Sequence, residues 1–148
     1  MIIDFNGTVV DIDVKRTRKF YYSDNSVEID CMCDGCRNFI KFCDAMPQEV
    51  AAFFEKIGVV PKKVCETYWF CQKNGGKSIF GGGFFHVCGG IIERDKEQKG
   101  IELAPDFNVY VEGEVDLVED GFPDPIVQIG MVFILPWLLD TENTYQAE

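Results

Sequence analysis

Seven cysteines and a single histidine are the residues best equipped for chemistry in this 148-residue chain. Three of the thiols fall close together in Cys31-Met32-Cys33-Asp34-Gly35-Cys36. At a turn from extended chain into helix such spacing can bring sulfurs together, and converging thiolates suit either a tetrahedral metal such as Zn²⁺ or thiol exchange. The zinc reading takes Cys31, Cys33 and Cys36 as ligands and needs a fourth from elsewhere. Cys43 is badly placed for it, because seven helical residues beyond Cys36 amount to ~10.5 Å of rise. His86 and Cys88, two apart on an extended run and so on one face, are better candidates, and Cys65 with Cys71 is a second such pair. The redox reading rests on Cys33-Asp34-Gly35-Cys36, where a helix N-terminus lowers the pKa of the first thiol while Asp34 and the negative net charge oppose ionisation. No βαβ unit precedes the motif, as a thioredoxin-like chain would show. Against both stands the ordinary behaviour of free cysteine, a small hydrophobe and among the most buried residue types.

Other catalytic candidates are few. His86 sits between Phe85 and Val87 in an apolar strand and reads as a structural imidazole before a ligand or base. A Cys-His nucleophilic pair has no orienting motif beside it, so no catalytic residue is assigned and the expectation leans away from an enzyme. Charge offers a different function. Residues 1–100 hold all 14 basic residues and 14 acidic ones, whereas 101–148 hold 11 acidic residues and no basic one, so the net charge of −11 lies wholly in the last third. Such a field repels phosphate backbones and anionic lipid and favours a basic protein or peptide, or a divalent cation. The alternation from Phe107 to Leu117 puts Tyr110, Glu112, Glu114 and Asp116 on one strand face, an acidic row with an aromatic anchor. The primary expectation is therefore a noncatalytic acidic binding protein for a basic macromolecular partner, with a zinc-binding protein and a thiol-disulfide redox protein as alternatives. The basic cluster Lys15 to Lys19 reads as a partner for acidic groups of its own chain or as plain solvated surface.

These residues must be positioned by one domain. Apolar residues make up 47% of the chain, aromatic 14% and charged 26%, an ordinary globular composition. The longest apolar run, Met131 to Leu139 with Pro136 inside it, is far short of a bilayer span, and the first residues lack the basic and apolar regions of a secretion signal. The cytoplasm is the expected address, and an odd cysteine count there favours reduced thiols or metal ligands over disulfides. Asn6-Gly7 predicts a tight hairpin that puts Met1, Ile3, Phe5, Val10, Ile12 and Val14 on one face. Further strands are expected at Lys19–Tyr22 and Val27–Asp30, giving three or four before the first helix. Apolar spacing of i, i+3, i+4, i+7 then predicts helices over Asp34–Asp44 and Pro47–Ile57. Strand character returns at Val64–Cys71, Ser78–Phe80, Phe84–Ile92, Phe107–Leu117 and Ile126–Leu135. Gly81-Gly82-Gly83 does not open a helix and so reads as a bulge or a close backbone approach, not a phosphate loop. The expected fold is α+β: a single domain over residues 1–140 with a twisted antiparallel sheet of about six strands, two helices packed on one face, and a polar, frayed tail at 141–148.

Cys31-x-Cys33-x-x-Cys36-Arg37-Asn38-Phe39, followed a hundred residues later by Leu135-Pro136-Trp137-Leu138-Leu139, resembles a group of small uncharacterised bacterial proteins. The resemblance implies a single cytosolic bacterial domain and carries over no catalytic residue. Arg37 and Asn38 read as polar residues of an exposed first helical turn.

Overall fold

A computed structural model describes all 148 residues. Asn6 and Gly7, both at positive φ (59° and 118°), reverse the chain between β1 (Ile2–Phe5) and β2 (Thr8–Ile12). The register pairs Ile3 with Val10 and Phe5 with Thr8, as the alternation requires, and Ile3, Phe5, Val10 and Ile12 are buried, whereas Met1 is exposed and Val14 opens a helix. The remaining elements are α1 (Val14–Tyr21), α2 (Asp34–Cys43), α3 (Gln48–Ile57), β3 (Glu66–Lys73), β4 (Ser78–Glu93), β5 (Gly100–Ala104), β6 (Phe107–Val111) and β7 (Ile126–Pro136). All seven strands form one open antiparallel sheet in the order β1-β2-β4-β7-β6-β5, with β3 on the free flank of β4. The 16-residue β4 is the spine: β7 runs along it from Ser78 to Cys88, β3 covers its first half and β2 its end.

The helices bring aromatic rings to the sheet. Phe39 of α2 stacks on Phe133 of β7 at 5.8 Å, Phe42 on Phe107 of β6 at 6.0 Å, and Phe54 of α3 meets Phe85 of β4 at 5.2 Å. Rings at these separations gain contact energy beyond the area they bury. No helix is long and apolar enough to cross a membrane.

The α+β class stands, with seven strands and three helices where about six and two were expected. Lys19–Tyr22 is not a strand but the end of α1, which also holds the basic cluster: Asp13 caps it by accepting the Arg16 N–H at 3.1 Å, and Thr17, Phe20 and Tyr21 are its buried face. Val27–Asp30 forms no strand, so only two strands precede the first helix. Ser78–Phe80 and Phe84–Ile92 are one continuous strand, and β5 was not foreseen. The glycines inside β4 do serve close approach. A Cβ on Gly81 would lie 2.5 Å from the Trp69 ring, as would one on Gly35 of α2, so the indole is held between helix and sheet by two missing side chains.

The chain end is docked. Asn143 is buried and donates to Ser78 O at 3.1 Å, Gln72 donates to Tyr145 O at 2.6 Å, and the Gln72 N–H reaches Gln146 O at 2.9 Å. These bonds cover the free edge of β3, whose backbone groups would otherwise be unpaired.

Candidate metal centre

Residues 27–33 arrive without regular structure and turn into α2 at Cys33. Cys33 is the N-cap; its sulfur accepts the Cys36 N–H at 3.4 Å, one of the donors a helix leaves unpaired in its first turn. The thiol atoms of Cys31, Cys33 and Cys36 all lie within 4.8 Å of one another. Cys31 and Cys33 are exposed and Cys36 is buried, and all three line a cleft of about 340 Å³ with Cys65, Thr67 and Trp69.

The groups around Cys33 and Cys36 bear on the ionisation of those two thiols. Partial burial opposes ionisation of Cys33, yet the Cys36 N–H, the neighbouring thiols of Cys36 and Cys31 and the Tyr145 hydroxyl outweigh it and hold the Cys33 thiol below its ordinary value. Burial pushes Cys36 up to about 11, against the Thr67 hydroxyl 3.2 Å away and the Trp69 indole, both of which favour its thiolate. Tyr145, from the docked tail, accepts the Gly35 N–H at 3.0 Å and so stands at the mouth of the helix beside Cys33. Sequence reasoning missed Tyr145 because a short polar terminus carries no periodicity to mark it.

The fourth ligand expected from β4 does not arrive. Cys88 is buried elsewhere, receiving Arg16 Nη1 at 3.4 Å, while the same guanidinium donates to Asp124 O at 2.9 Å. Cys43 is half-buried, its thiol pushed up to about 12 by desolvation. Cys65 and Cys71 do not act as a pair, since a register shift between Trp69 and Cys71 breaks the alternation that would align them.

His86 belongs to a different group. Its imidazole, one carboxylate oxygen of Glu119 and the Cys65 sulfur lie within 4.8 Å of one another. Nδ1 is 2.7 Å from Glu119 Oε1 and Nε2 is 2.8 Å from Gln128 Oε1. Cys65 precedes β3, bonded through its N–H to Phe84 O, and its thiol donates to Leu117 O at 3.2 Å. Although burial works against a charged ring, the bonds to Cys65, Glu119 and Gln128 and the Glu119 charge dominate and raise the His86 pKa to about 10. Metal-free protein is therefore expected to lose stability as pH rises from 6.5 towards 10. Below 6.5 the unfolded histidine is protonated too and the contribution is complete; as pH climbs through the raised folded value it is lost. Urea unfolding of chelator-treated protein across that range is the check, and a free energy flat to pH 10 contradicts it.

The acidic strand face is not formed. β6 ends at Val111, Leu117 takes a positive φ of 53°, and the residues after Glu112 leave the ladder to reach Gln128, Cys65 and His86 in turn, through Asp116, Leu117 and Glu119. Glu112 is occupied internally, accepting from Gln128 and, at 3.4 Å, from the Tyr110 hydroxyl, while Glu114 and Asp116 are exposed on the loop. Arg16 and Arg18 of the basic cluster likewise find acceptors within the chain, at Asp124 O and Glu55 O.

Only two buried side-chain polar atoms lack a hydrogen-bond partner, Trp69 Nε1 and Glu119 Oε2. One adjoins Cys36 and the other belongs to the group around His86. Buried polar groups are almost always satisfied, so the carboxylate oxygen Glu119 Oε2 is one whose bonding a cation could complete, whereas the Trp69 N–H is a donor aimed at the Cys36 sulfur.

No family model, curated protein or solved structure matches the chain. The two segments that carry the bacterial resemblance meet in space: Asn38, fully buried and not in an exposed turn, donates to Pro136 O at 3.0 Å and accepts the Leu138 N–H at 2.6 Å.

Proposed function

We propose that the protein binds a thiophilic metal ion, zinc foremost, through Cys31, Cys33 and Cys36. The observation that carries this reading is the convergence of the three sulfurs at the start of α2. Donors for thiolate charge surround them: the Cys36 N–H and Tyr145 hydroxyl at Cys33, the Thr67 hydroxyl and the unpartnered Trp69 N–H at Cys36. Structural zinc is almost always four-coordinate, so three protein ligands at an exposed cleft favour an ion with an open position, available to water, a ligand or a transfer partner. The acidic-surface reading has less support, since Glu112 is used within the fold and the carboxylate row is broken.

Cobalt substitution tests the proposal, because thiolate ligands give a near-ultraviolet charge-transfer absorption. Wild-type protein should show it, and Cys31→Ser with Cys33→Ser, both exposed positions, should reduce it by about half or more. Absorption unchanged by the double substitution overturns the proposal. One observation favours thiol exchange as a second reading: Cys33 is exposed and lowered while Cys36 is buried and raised, the asymmetry of an attacking and a resolving thiol. On that reading metal-free protein at neutral pH loses Cys33 to an alkylating agent much faster than Cys36 or Cys43.

A further inference from the structure

The structure assigns a second cation site, separate from the three-cysteine cluster, to Cys65, His86 and Glu119, of the class that takes zinc and other borderline divalent ions; we propose that an ion there clamps the loop 112–125 to the sheet. The three ligand atoms come from three segments that nothing in the sequence links: the approach to β3, the middle of β4 and the acidic loop. Thiolate, imidazole and carboxylate are the three side-chain donors zinc uses.

The tautomer needed for coordination is fixed by the surroundings. Gln128 Oε1 accepts the Asp116 N–H at 2.7 Å, and its amide nitrogen donates to Glu112, so the amide has one orientation. An oxygen so oriented can only accept, and the His86 Nε2 that meets it at 2.8 Å must carry a hydrogen. Nδ1 then faces Glu119 and Cys65 as the metal-binding nitrogen. This is the support metal-ligating histidines ordinarily have: the second ring nitrogen held by a neighbouring acceptor, itself hydrogen-bonded.

Without metal, Nδ1 lies 2.7 Å from Glu119 Oε1, a contact that holds a proton between them, while Cys65 keeps its thiol hydrogen on Leu117 O. A divalent ion replaces those two protons. The site passes from an imidazole and a carboxylate sharing one proton beside a thiol, net zero, to a dication with carboxylate, thiolate and neutral imidazole, also net zero, and two protons leave to solvent. Glu119 Oε2, buried with no partner, is the atom whose bonding the ion would complete. Cys65 also lines the 340 Å³ cleft, which gives the ion a path from solvent.

His86 is the only histidine, so the imidazole ¹⁵N spectrum of tag-free, histidine-labelled wild-type protein reports this site alone. Chelator-treated protein should show Nε2 carrying a hydrogen and Nδ1 hydrogen-bonded to Glu119. Adding Zn²⁺ should strip the proton from Nδ1 and shift it to a metal-bound position while Nε2 keeps its hydrogen. An imidazole spectrum unchanged by several equivalents of zinc overturns the proposal. Filling of the three-cysteine cluster would leave that spectrum unchanged, so the two readings fail separately. Glu119→Gln, whose amide oxygen can still accept from the ring, should raise the zinc concentration needed by at least about tenfold. An unaltered titration in that variant also overturns the assignment.

Discussion

Asn38→Leu is expected to destabilise the protein by about 4 kcal/mol, a large part of a total that for domains of this kind is about 5–15 kcal/mol. The amide is fully buried and joins α2 to the chain leaving β7, donating to Pro136 O and accepting the Leu138 N–H. Leucine has the volume but neither bond, so one carbonyl and one N–H are left without partners away from water, at about 1–3 kcal/mol each. Its branched end must also fit where a planar amide lay between backbone groups. Arg37→Ala, one residue earlier, removes only an exposed pair with Asp34 and should change stability by less than about 0.5 kcal/mol. Urea unfolding of both variants is the measurement, and an Asn38→Leu cost below about 1 kcal/mol would show that these bonds hold nothing. Because α2 carries Cys36 and is capped by Cys33, the same variant should expose Cys36 to alkylation under conditions where wild-type protein protects it.

Asn38 also marks where sequence reading reaches its limit. Elements with a clear local period were legible: the Asn6-Gly7 hairpin to its register, both longer helices to within a residue or two, and β7 as an interior strand. α1 was misread because Lys15 to Lys19 hides a buried face of only Thr17, Phe20 and Tyr21, too short a stripe to outweigh its charge. The acidic run was misread for the opposite reason. Its alternation is real, yet Val115, Leu117 and Val118 are exposed, and the segment leaves β6 because Glu112, Asp116 and Glu119 find partners on β7 and β4. Tertiary hydrogen bonds of that kind have no local trace in the chain.

The candidate site divides in the same way. Convergence of Cys31, Cys33 and Cys36 follows from their spacing at a helix start, which is local. The place of His86 depends on which strand flanks β4 and where that strand begins. β3 enters the ladder at Glu66, opposite Phe84, leaving Cys65 beside His86 and not His86 beside Cys36. The reading that joined His86 to Cys31, Cys33 and Cys36 is not met: the structure sets its ring beside Cys65 and Glu119.

The loop that closes over His86 should depend above all on Gln128. Its side chain is buried on β7 and serves three partners: the His86 ring, the Asp116 N–H and the Glu112 carboxylate. Gln128→Leu removes all three bonds and leaves a buried ring N–H with no acceptor, at an expected cost of about 3–5 kcal/mol because the ring is charged. Residues 113–121 should then become the first site of proteolytic cleavage, since the Asp116 anchor is gone. Gln128→Glu tells more. A carboxylate there still accepts from His86 and Asp116 but meets Glu112, so it should destabilise by repulsion between like charges. Adding Glu112→Gln restores one carboxylate and one amide in exchanged positions, and the amide can donate to the new Glu. The double variant should therefore be at least about 1 kcal/mol more stable than Gln128→Glu alone, a coupling that independent sites do not show. Additive effects in that cycle would mean that the Gln128–Glu112 bond contributes nothing, and the loop would then owe its position to the Asp116, Leu117 and Glu119 contacts.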